Sequence, residues 1–464
     1  MMNLPAPKDL HSATAIVVGL GVSGDASARL LASKGARVIA TDLRPRTALA
    51  ESADRLEKQG IKLVLGGHSG VDLTAADLVV VSPGVPNQPW LRNAERRGAR
   101  LVSEIELASW FVDADVIAIG GTNGKSTTTE LAAALCATSA RPVFAGGNLG
   151  VPLAQAVVDG HPGIARGGVC VVEVSSFQLE RVAGFRPKAS VLLNVTPDHL
   201  DRYPSFEAYA NAKGGAFRAQ ADGDVAIVPH GDPLAERIAR LGGGALELVD
   251  GPAAEATIGL DGDQVVDRVA KVSIARAEIR LAGRHNITNL CAAWAAARAV
   301  GLDAAKFPAA IRAFDGLPHR TALVGDIGGV HFYDDSKGTN VGASVTALAG
   351  LAEARAVLVA GGRDKGGSYA PLIEALRTKG RGLVVIGEAA TAIAEAARVG
   401  LGAAFPIVHA RTMEEAVDFA ARMAIAGDAV LLSPACSSFD MFRDYKHRGD
   451  AFTAAVRARV GGAR

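Results

Sequence analysis

A glycine-rich segment in the first third of the chain carries residues able to bind phosphate. It is GGTNGKST at residues 120–127, and it follows the apolar run VIAI. In such a loop, backbone N–H groups surround phosphate oxygens, Lys125 neutralises their charge, and the Ser126 hydroxyl can ligate magnesium. The loop departs from the strict P-loop, because Ile119 stands where that pattern has its first glycine. We predict a nucleotide phosphate site here, and an ordinary strand–helix turn is the alternative.

Another glycine-rich loop lies nearer the start of the chain and is called the first glycine loop below. It is GLGVSG at residues 19–24, between the apolar run TAIVV and an alanine-rich stretch, and Asp42 follows Gly24 by 18 residues. The glycines permit close backbone approach to a diphosphate, and the acidic residue can bind a ribose hydroxyl. Any nucleoside diphosphate satisfies this chemistry, so the pattern does not choose NAD over UDP. A tight turn without a ligand is the alternative.

Three further side chains could take part in chemistry in the middle of the chain. Glu173 ends the apolar run GVCVV, where a carboxylate can hold magnesium; a helix cap or a surface position is the alternative. His199 lies in NVTPDHLD and is a ligand, an acid–base group or an ordinary loop histidine. Lys213 follows in the helical stretch FEAYANAKGG, and from composition alone it is a solvated surface lysine.

The elements that must position these residues are short apolar runs rich in Val, Ile and Ala that alternate with alanine-rich helical stretches. This alternation predicts an α/β fold with parallel sheets covered by helices on both faces. Ligands of such sheets bind beyond the carboxyl ends of the strands, and the candidate residues follow those ends. The alternating segment RVAKVSIARAEIRL, near residues 256–281, predicts an antiparallel addition.

Composition excludes several other classes of protein. The 464 residues are 49% hydrophobic, and 49 basic against 48 acidic residues leave a net charge of +1, so no nucleic-acid partner is expected. No apolar run is long enough for a membrane span, and no signal peptide is apparent, so a cytoplasmic protein is expected. The four cysteines lack the spacing of a disulfide framework or a zinc site.

Seven segments in order, spread over nearly the whole chain, resemble the ATP-dependent Mur ligase family of peptidoglycan synthesis. They are GTNGKST, EVSSFQLE, NVTPDHLDRY, GRHNITN, GLPHR, DDSKGTN and SPACSSFDMF, the last two favouring its glutamate-adding members. The resemblance implies three domains: a Rossmann-like one for the UDP-substrate, a P-loop ATPase-like one for ATP, and a Rossmann-like one for the amino acid. We place them at residues 1–103, 104–316 and 317–464.

The resemblance also implies roles for residues on the ATP side. Lys125, His199 and Lys213 match catalytic groups, and Lys213 is carbamylated in similar proteins. Ser126, Glu173, His199 and modified Lys213 would hold magnesium, with two ions expected. The residues matched to ATP contacts are Gly121, Thr122, Asn123, Gly124, Lys125, Ser126, Thr127, Asn286, Asn289, Arg320 and Asp335.

Two further sets of residues follow from the same resemblance. Those matched to the UDP-substrate are Gly21, Val22, Ser23, Asp42, Arg44, Gly84 and Asn148. Those matched to the amino-acid pocket are Thr339, Lys365, Ser438, Phe439 and Tyr445, the last at a position where similar proteins often have phenylalanine.

The implied reaction is the ATP-dependent addition of glutamate to UDP-N-acetylmuramoyl-L-alanine through an acyl phosphate, by a monomeric enzyme. Another Mur ligase or a folylpolyglutamate synthetase is the nearest alternative. An NAD-dependent dehydrogenase would explain the first glycine loop but not the GKS segment. A nucleotide-regulated binding module would explain both loops but not His199 or the segment at residues 433–442.

Overall fold

The computed structural model describes residues 10–200, 202–364, 366 and 368–462. These form two compact units. One runs to Arg276 and includes Thr288–Ala313; the other combines Ala277–Ile287 with the described residues from Phe314 onward. The first unit contains two sheets and the second contains one, so the architecture is the predicted α/β class with three sheets. The two boundaries of the three predicted domains, after residues 103 and 316, stay predictions.

The first sheet is built from five parallel strands in the order β3-β2-β1-β4-β5. Strand β1 is the predicted run TAIVV, and four of its five residues are buried, as expected for a strand covered on both faces. The strands are β1 (Thr14–Val18), β2 (Arg37–Asp42), β3 (Lys62–Leu65), β4 (Leu78–Val81) and β5 (Leu101–Ser103).

The second sheet has nine strands in the order β14-β13-β12-β11-β10-β9-β6-β8-β7. Strands β6 to β12 are joined by parallel pairs, and the antiparallel pairs β12–β13 and β13–β14 form the predicted antiparallel addition. They are β6 (Asp115–Gly120), β7 (Val143–Gly147), β8 (Val169–Glu173), β9 (Ala189–Leu192), β10 (Val225–Pro229), β11 (Ala245–Val249), β12 (Ile258–Asp261), β13 (Gln264–Asp267) and β14 (Val272–Ala275).

The third sheet, in the second unit, has the order β15-β16-β20-β17-β18-β19 and is parallel except for the pair β15–β16. The apolar segments RAVLVAGG, GLVVIGE and AVLLSPACSS form central strands with buried residues. The strands are β15 (Ala322–Ile327), β16 (Val330–Asp334), β17 (Ala356–Gly361), β18 (Gly380–Ile386), β19 (Ile407–His409) and β20 (Ala429–Leu432).

Helices connect the parallel strands and cover the sheets, as crossover connections require. None in the described part of the chain is long and apolar enough to cross a membrane. They are α1 (Val22–Ser33), α2 (Ala50–Lys58), α3 (Pro89–Arg96), α4 (Glu104–Ser109), α5 (Lys125–Cys136), α6 (Leu153–Val158), α7 (Ser176–Leu179), α8 (Phe206–Lys213), α9 (Pro233–Ala239), α10 (His285–Ala299), α11 (Phe307–Ala313), α12 (Val341–Gly350), α13 (Ala370–Lys379), α14 (Ala390–Leu401), α15 (Met413–Met423) and α16 (Tyr445–Gly462).

A charged group ties the antiparallel addition to helix α10. The Arg298 guanidinium is bonded to the Glu247 carboxylate on β11, and its Nε lies 3.3 Å from the carboxylate of Asp267 on β13. Asp267 is fully buried and also accepts the N–H groups of Val269 and Ala270 at 3.0 Å. The charges are therefore paired where water is excluded, which makes loss of one partner costly.

Two buried glutamates on α4 join the first sheet to the second. Glu106 accepts the N–H groups of Ala183, Gly184 and Phe185 at 2.9–3.1 Å. Glu104 is fully buried and accepts the N–H of Ala154 at 2.7 Å. Burial raises the pKa of Glu104 to about 7, although the hydrogen bond from Ala154 opposes the shift. The two carboxyls therefore hold the two sheets of this unit through backbone donors.

Glu104 should make the stability of the first unit depend on pH. The usual pKa of this carboxyl is 4.5, and folding raises it to about 7. Its contribution to the free energy of unfolding is therefore complete below pH 4.5 and is lost as the pH rises through 7. In Glu104→Gln the neutral amide keeps the acceptor for Ala154. We expect its apparent Tm to exceed that of the wild type by a few degrees at pH 8, with the gain disappearing by pH 4.5, measured by differential scanning calorimetry.

Glu95→Gln, at an exposed glutamate on α3, is the matched control and should show no such trend. A pH-independent difference in Tm between Glu104→Gln and the wild type would contradict the assignment.

Candidate active site

The phosphate loop lies at the carboxyl end of β6 and leads directly into α5. Gly124 is the N-cap of this helix with φ of +83°, and Gly121 has φ of +144°, conformations that favour glycine. A Cβ on Gly124 would overlap the Oδ1 of Asn289 on α10. Ser126 and Thr127 are buried in the first turn of α5. The structure thus gives the predicted loop the backbone shape and helix N-terminus that an anion site needs.

Asn194 fixes the shape of this loop from the neighbouring strand end. Its Oδ1 accepts the N–H groups of Thr122 at 3.1 Å and Asn123 at 2.9 Å, and its Nδ2 donates to the Asn123 carbonyl. The Thr122 hydroxyl also lies 2.9 Å from the hydroxyl of Tyr209 on α8. The segment after β9 therefore holds the loop through side chains, so NVTPDHLDRY and GTNGKST are in direct contact.

Two lysines converge on one carbonyl of the loop. The Lys125 ammonium donates to the carbonyls of Gly121 at 3.1 Å and Thr122 at 2.8 Å, and the Lys213 ammonium donates to the same Gly121 carbonyl at 2.8 Å. Lys213 is buried, so the surface position expected from composition alone is wrong. Burial, and then the nearby charge of Lys125, lower the pKa of Lys213 well below its usual range, while Asp198 opposes the shift.

Glu173 ends β8, and its backbone is in register with Ile119 of β6. One carboxylate oxygen, Oε1, accepts the Asn148 side-chain amide at 2.7 Å. The other, Oε2, is buried and has no hydrogen-bond partner among the described residues. An ionised carboxylate only accepts, so this oxygen requires a donor or a cation. Asn148, matched from the sequence to a substrate contact, here orients Glu173.

His199 lies in the turn after β9 in a left-handed conformation, with φ of +55°, and its side chain is about 42% exposed. Its ring is 4.6 Å from that of Phe177 and 6.2 Å from that of Tyr209, which contacts the phosphate loop. Strands β9, β6 and β8 are adjacent, so His199, the loop and Glu173 follow neighbouring carboxyl ends. In the described ranges no three His, Cys, Asp or Glu side chains form a metal cluster by themselves.

The first glycine loop lies at the carboxyl end of β1 beside an open cavity of about 520 Å³. Gly21 is the N-cap of α1 and Ser23 lies in its first turn; Val22 is 74% exposed, and Gly84 is also exposed. Asp42 accepts the N–H of Leu20 at 2.7 Å and pairs with the Arg44 guanidinium at 2.8 Å. Burial acts to raise the pKa of Asp42, but these hydrogen bonds lower it to about 2.

The second unit places its candidates around the ends of β16 and β20. Asp335 accepts the N–H of Thr321 at 3.1 Å and the hydroxyl of Ser433 at 2.6 Å. Burial raises the pKa of Asp335 to about 7, although Ser433 and the charge of Arg320 oppose the shift. Ser438 is buried and Phe439 is 66% exposed. The N–H of Thr339 donates to the carbonyl of Lys337.

Three further positions complete the sequence-derived set. The Lys337 ammonium lies 4.0 Å from the centre of the Tyr445 ring, a cation–π contact. Asn286 donates from its amide to the Ala282 carbonyl at 2.6 Å. Lys365 lies outside the described residues.

Comparison with known proteins gives this geometry a family. Three family models match in order: "Mur ligase MurD-like, N-terminal domain" over residues 13–103, "Mur ligase middle domain" over 119–297, and "Mur ligase, glutamate ligase domain" over 319–436. The chain is 44% identical to UDP-N-acetylmuramoylalanine--D-glutamate ligase of Geobacter metallireducens over 447 residues, 96% of this chain and 97% of that protein. The chain belongs to the Mur ligase family.

Other relatives agree with this assignment. The enzyme of the same name from Trichlorobacter lovleyi is also 44% identical, covering 97% of this chain and 99% of that one. Among solved structures, the MurF ligase of Thermotoga maritima in complex with ADP has a TM-score of 0.58 at 16% identity, with 92% and 96% of the two chains covered. At that identity the likeness shows the Mur ligase fold only. It nevertheless confirms the α/β architecture expected from the sequence.

The structure brings forward side chains of this Mur ligase that were not singled out from the sequence. Asn194 and Arg202 lie in NVTPDHLDRY, His319 in GLPHR and Lys337 in DDSKGTN. The His319 ring nitrogen Nδ1 is 2.7 Å from the Asp334 carboxylate, and its carbonyl accepts the N–H of Lys337. Their positions in these family-like segments could have identified them, because neighbouring residues of the same segments were already candidates.

Gly124→Ala tests whether the loop depends on its close fit to α10. The new Cβ would overlap Asn289 in addition to straining a left-handed residue, so affinity for a fluorescent ATP analogue should fall at least about 10-fold in an equilibrium titration. Gly223→Ala is the matched control, because Gly223 has the same φ of +83° but its Cβ would meet only the Lys188 ammonium at 3.7 Å. Equal affinities of the two variants for the analogue would contradict the account.

Proposed function

We propose that this Mur ligase joins D-glutamate to UDP-N-acetylmuramoyl-L-alanine with conversion of ATP to ADP and phosphate, as a step of peptidoglycan precursor synthesis. One observation carries the proposal: the phosphate loop, Glu173, His199 and Lys213 meet at neighbouring strand ends in a chain that matches two D-glutamate ligases along nearly its whole length. The D configuration is supported by the names of those relatives. We expect the enzyme to act as a cytoplasmic monomer.

The first unit would bind the nucleotide phosphates at the loop. Backbone donors between Gly121 and Thr127 and the N-terminus of α5 surround the phosphates, and Lys125 leaves its carbonyl partners to neutralise them. Asn289 closes the loop on one side. Asn286, Arg320 and Asp335 are proposed as further nucleotide contacts on the basis of the family motif.

Magnesium fits the residues present, because the buried Oε2 of Glu173 needs a positive partner. The proposed ligands are Glu173, the Ser126 hydroxyl, the His199 imidazole and Lys213 after carbamylation, with two ions expected. The lowered pKa of Lys213 favours the neutral amine, which can add to carbon dioxide, forming an N–C bond and releasing a proton. When bound, magnesium would offset the charge of phosphates and substrate carboxylate.

The UDP-substrate would lie along the first glycine loop, with Gly21, Val22, Ser23, Asp42, Arg44 and Gly84 around it and Asn148 nearer the reacting end. The Asp42–Arg44 pair keeps both groups in fixed orientation, as a polar recognition site requires. The second unit would bind glutamate through Thr339, Lys365, Ser438, Phe439 and Tyr445. A lysine there would pair with a substrate carboxylate.

The reaction would proceed in two displacements. The terminal carboxylate of the substrate attacks the γ-phosphorus of ATP, the bond to ADP breaks, and an acyl phosphate forms. The glutamate amine then attacks the acyl carbon, loses a proton, and phosphate leaves with the bonding electrons. Lys125 would stabilise the charge on the transferred phosphoryl group, so catalysis rests mainly on positioning and electrostatics.

Phosphate release tests the function directly. The wild type is assayed with ATP, magnesium and UDP-N-acetylmuramoyl-L-alanine against a panel of D- and L-amino acids, and release should require D-glutamate. Lys125→Ala should lower kcat by at least about 1000-fold. The far-UV circular dichroism spectrum should stay unchanged, because the ammonium is only partly buried and its partners are two loop carbonyls rather than groups of the core. Release with L-glutamate alone, or retained turnover in Lys125→Ala, would contradict the proposal.

His199→Ala tests the proposed metal role. The concentration of magnesium that gives half-maximal phosphate release should rise at least about 5-fold, because one ligand is lost. His161→Ala, whose ring caps a turn at Gly163 away from the loop, is the control and should leave this concentration unchanged. An unchanged magnesium requirement in His199→Ala would reject the role.

A further inference from the structure

Arg202 follows the turn that carries His199 and makes contacts with three separate segments of the first unit. Its Nε and Nη2 donate to the two carboxylate oxygens of Glu180 at 3.2 and 3.0 Å. Its Nη1 donates to the carbonyl of Pro83 at 2.7 Å. The two side chains of the ion pair are only 11% and 14% exposed. The guanidinium is therefore held in one orientation by a bidentate pair, a geometry that lysine cannot reproduce.

Arg202 also contacts the side of the site where Glu173 and His199 are proposed to hold magnesium. The guanidinium lies 3.9 Å from the centre of the Phe177 ring, and the centre of the His199 ring lies 4.6 Å from that of Phe177. The backbone N–H of Arg202 also donates to the His199 carbonyl at 3.0 Å. Phe177 and Glu180 belong to the segment that begins at Glu173. Arg202 thus fixes both the left-handed turn of His199 and the short helix after Glu173.

The second contact reaches the UDP-substrate side. Pro83 stands between Ser82 and Gly84, in the loop after β4. The hydroxyl of Ser82 donates to the carbonyl of Gly19 at 2.6 Å and is buried, so this loop is joined to the first glycine loop. Through Pro83, Arg202 connects the loop of the first sheet to the turn of the second.

We propose that Arg202 is a positioning residue that sets the separation between the UDP-substrate loops at Gly19 and Gly84 and the segments bearing Glu173 and His199. This inference rests on the proposed function, in which those two sides hold the reacting carboxylate and the γ-phosphate. Arg202 touches neither reactant in this account. A shift of about 1 Å between the two sides lowers the rate by up to about 100-fold without weakening either binding site.

The test compares Arg202→Lys with Arg141→Lys in the phosphate-release assay. Arg141 is the matched control: it pairs with the carboxylate of Asp115 and donates to the carbonyls of Gly167, Gly168 and Val300, and none of these residues belongs to the segments that bear the candidate site residues. We expect Arg202→Lys to lower kcat about 10- to 100-fold while KM for ATP and for the UDP-substrate stay within about 3-fold. Arg141→Lys should keep kcat within about 2-fold.

A chemical rescue separates positioning from a general loss of structure. Arg202→Ala should lose more activity than Arg202→Lys, and millimolar guanidinium chloride should restore part of kcat, whereas sodium chloride of equal ionic strength should not. Apparent Tm values are measured for every variant. If Arg202→Ala does not fold, the comparison of Arg202→Lys with Arg141→Lys decides alone.

Several results would overturn the inference. They are a wild-type kcat in Arg202→Lys, a raised KM for the UDP-substrate at unchanged kcat, and losses of kcat and Tm that are equal in the Arg202 and Arg141 variants. A wild type that releases no phosphate with D-glutamate would instead overturn the proposed function, and this inference with it.

Discussion

The arrangement of the active site is governed by an excess of positive charge at one carbonyl oxygen. Lys125 and Lys213 both donate to Gly121, and Lys213 is buried, so its ammonium form is costly where it stands. Such a site favours two outcomes: anions that neutralise the lysines, or conversion of Lys213 to a neutral or negative group. In the proposed function, nucleotide phosphates would supply the first and carbamylation of Lys213 the second. The Glu173 oxygen that has no hydrogen-bond partner among the described residues adds a place for a cation. The site therefore holds positive and negative groups that bound substrates and ions would neutralise.

Much of the fold could be predicted because the strands of parallel sheets have a simple sequence pattern. Buried strands such as TAIVV and VIAI are continuous apolar runs, and the chemistry-bearing residues follow their carboxyl ends. The antiparallel addition was also visible, because alternation of polar and apolar residues marks strands with one exposed face. The order of the strands was not visible, since it depends on contacts between residues far apart in the chain.

The site was predictable where a motif fixes a backbone shape and less so where one side chain orients another. Gly124 could be assigned from its spacing to Lys125. Asn148 was matched to substrate, yet in the structure it donates to Glu173, and Asn194 was overlooked although it holds two N–H groups of the loop. Lys213 shows the same limit: composition alone indicated a solvated surface position, whereas packing against the loop buries it.

The ion pairs of Arg298 have a consequence for how this protein can vary. Helix α10 carries Asn289 against the phosphate loop, and the same helix is fastened to β11 and β13 through Arg298. The strands at this edge of the sheet thus help to support the phosphate loop. If these strands were shortened or exchanged with those of a homologue, the desolvated Arg298 guanidinium would lose its carboxylate partners. A chimaera that keeps only the catalytic motifs intact would therefore combine segments that do not pair with each other.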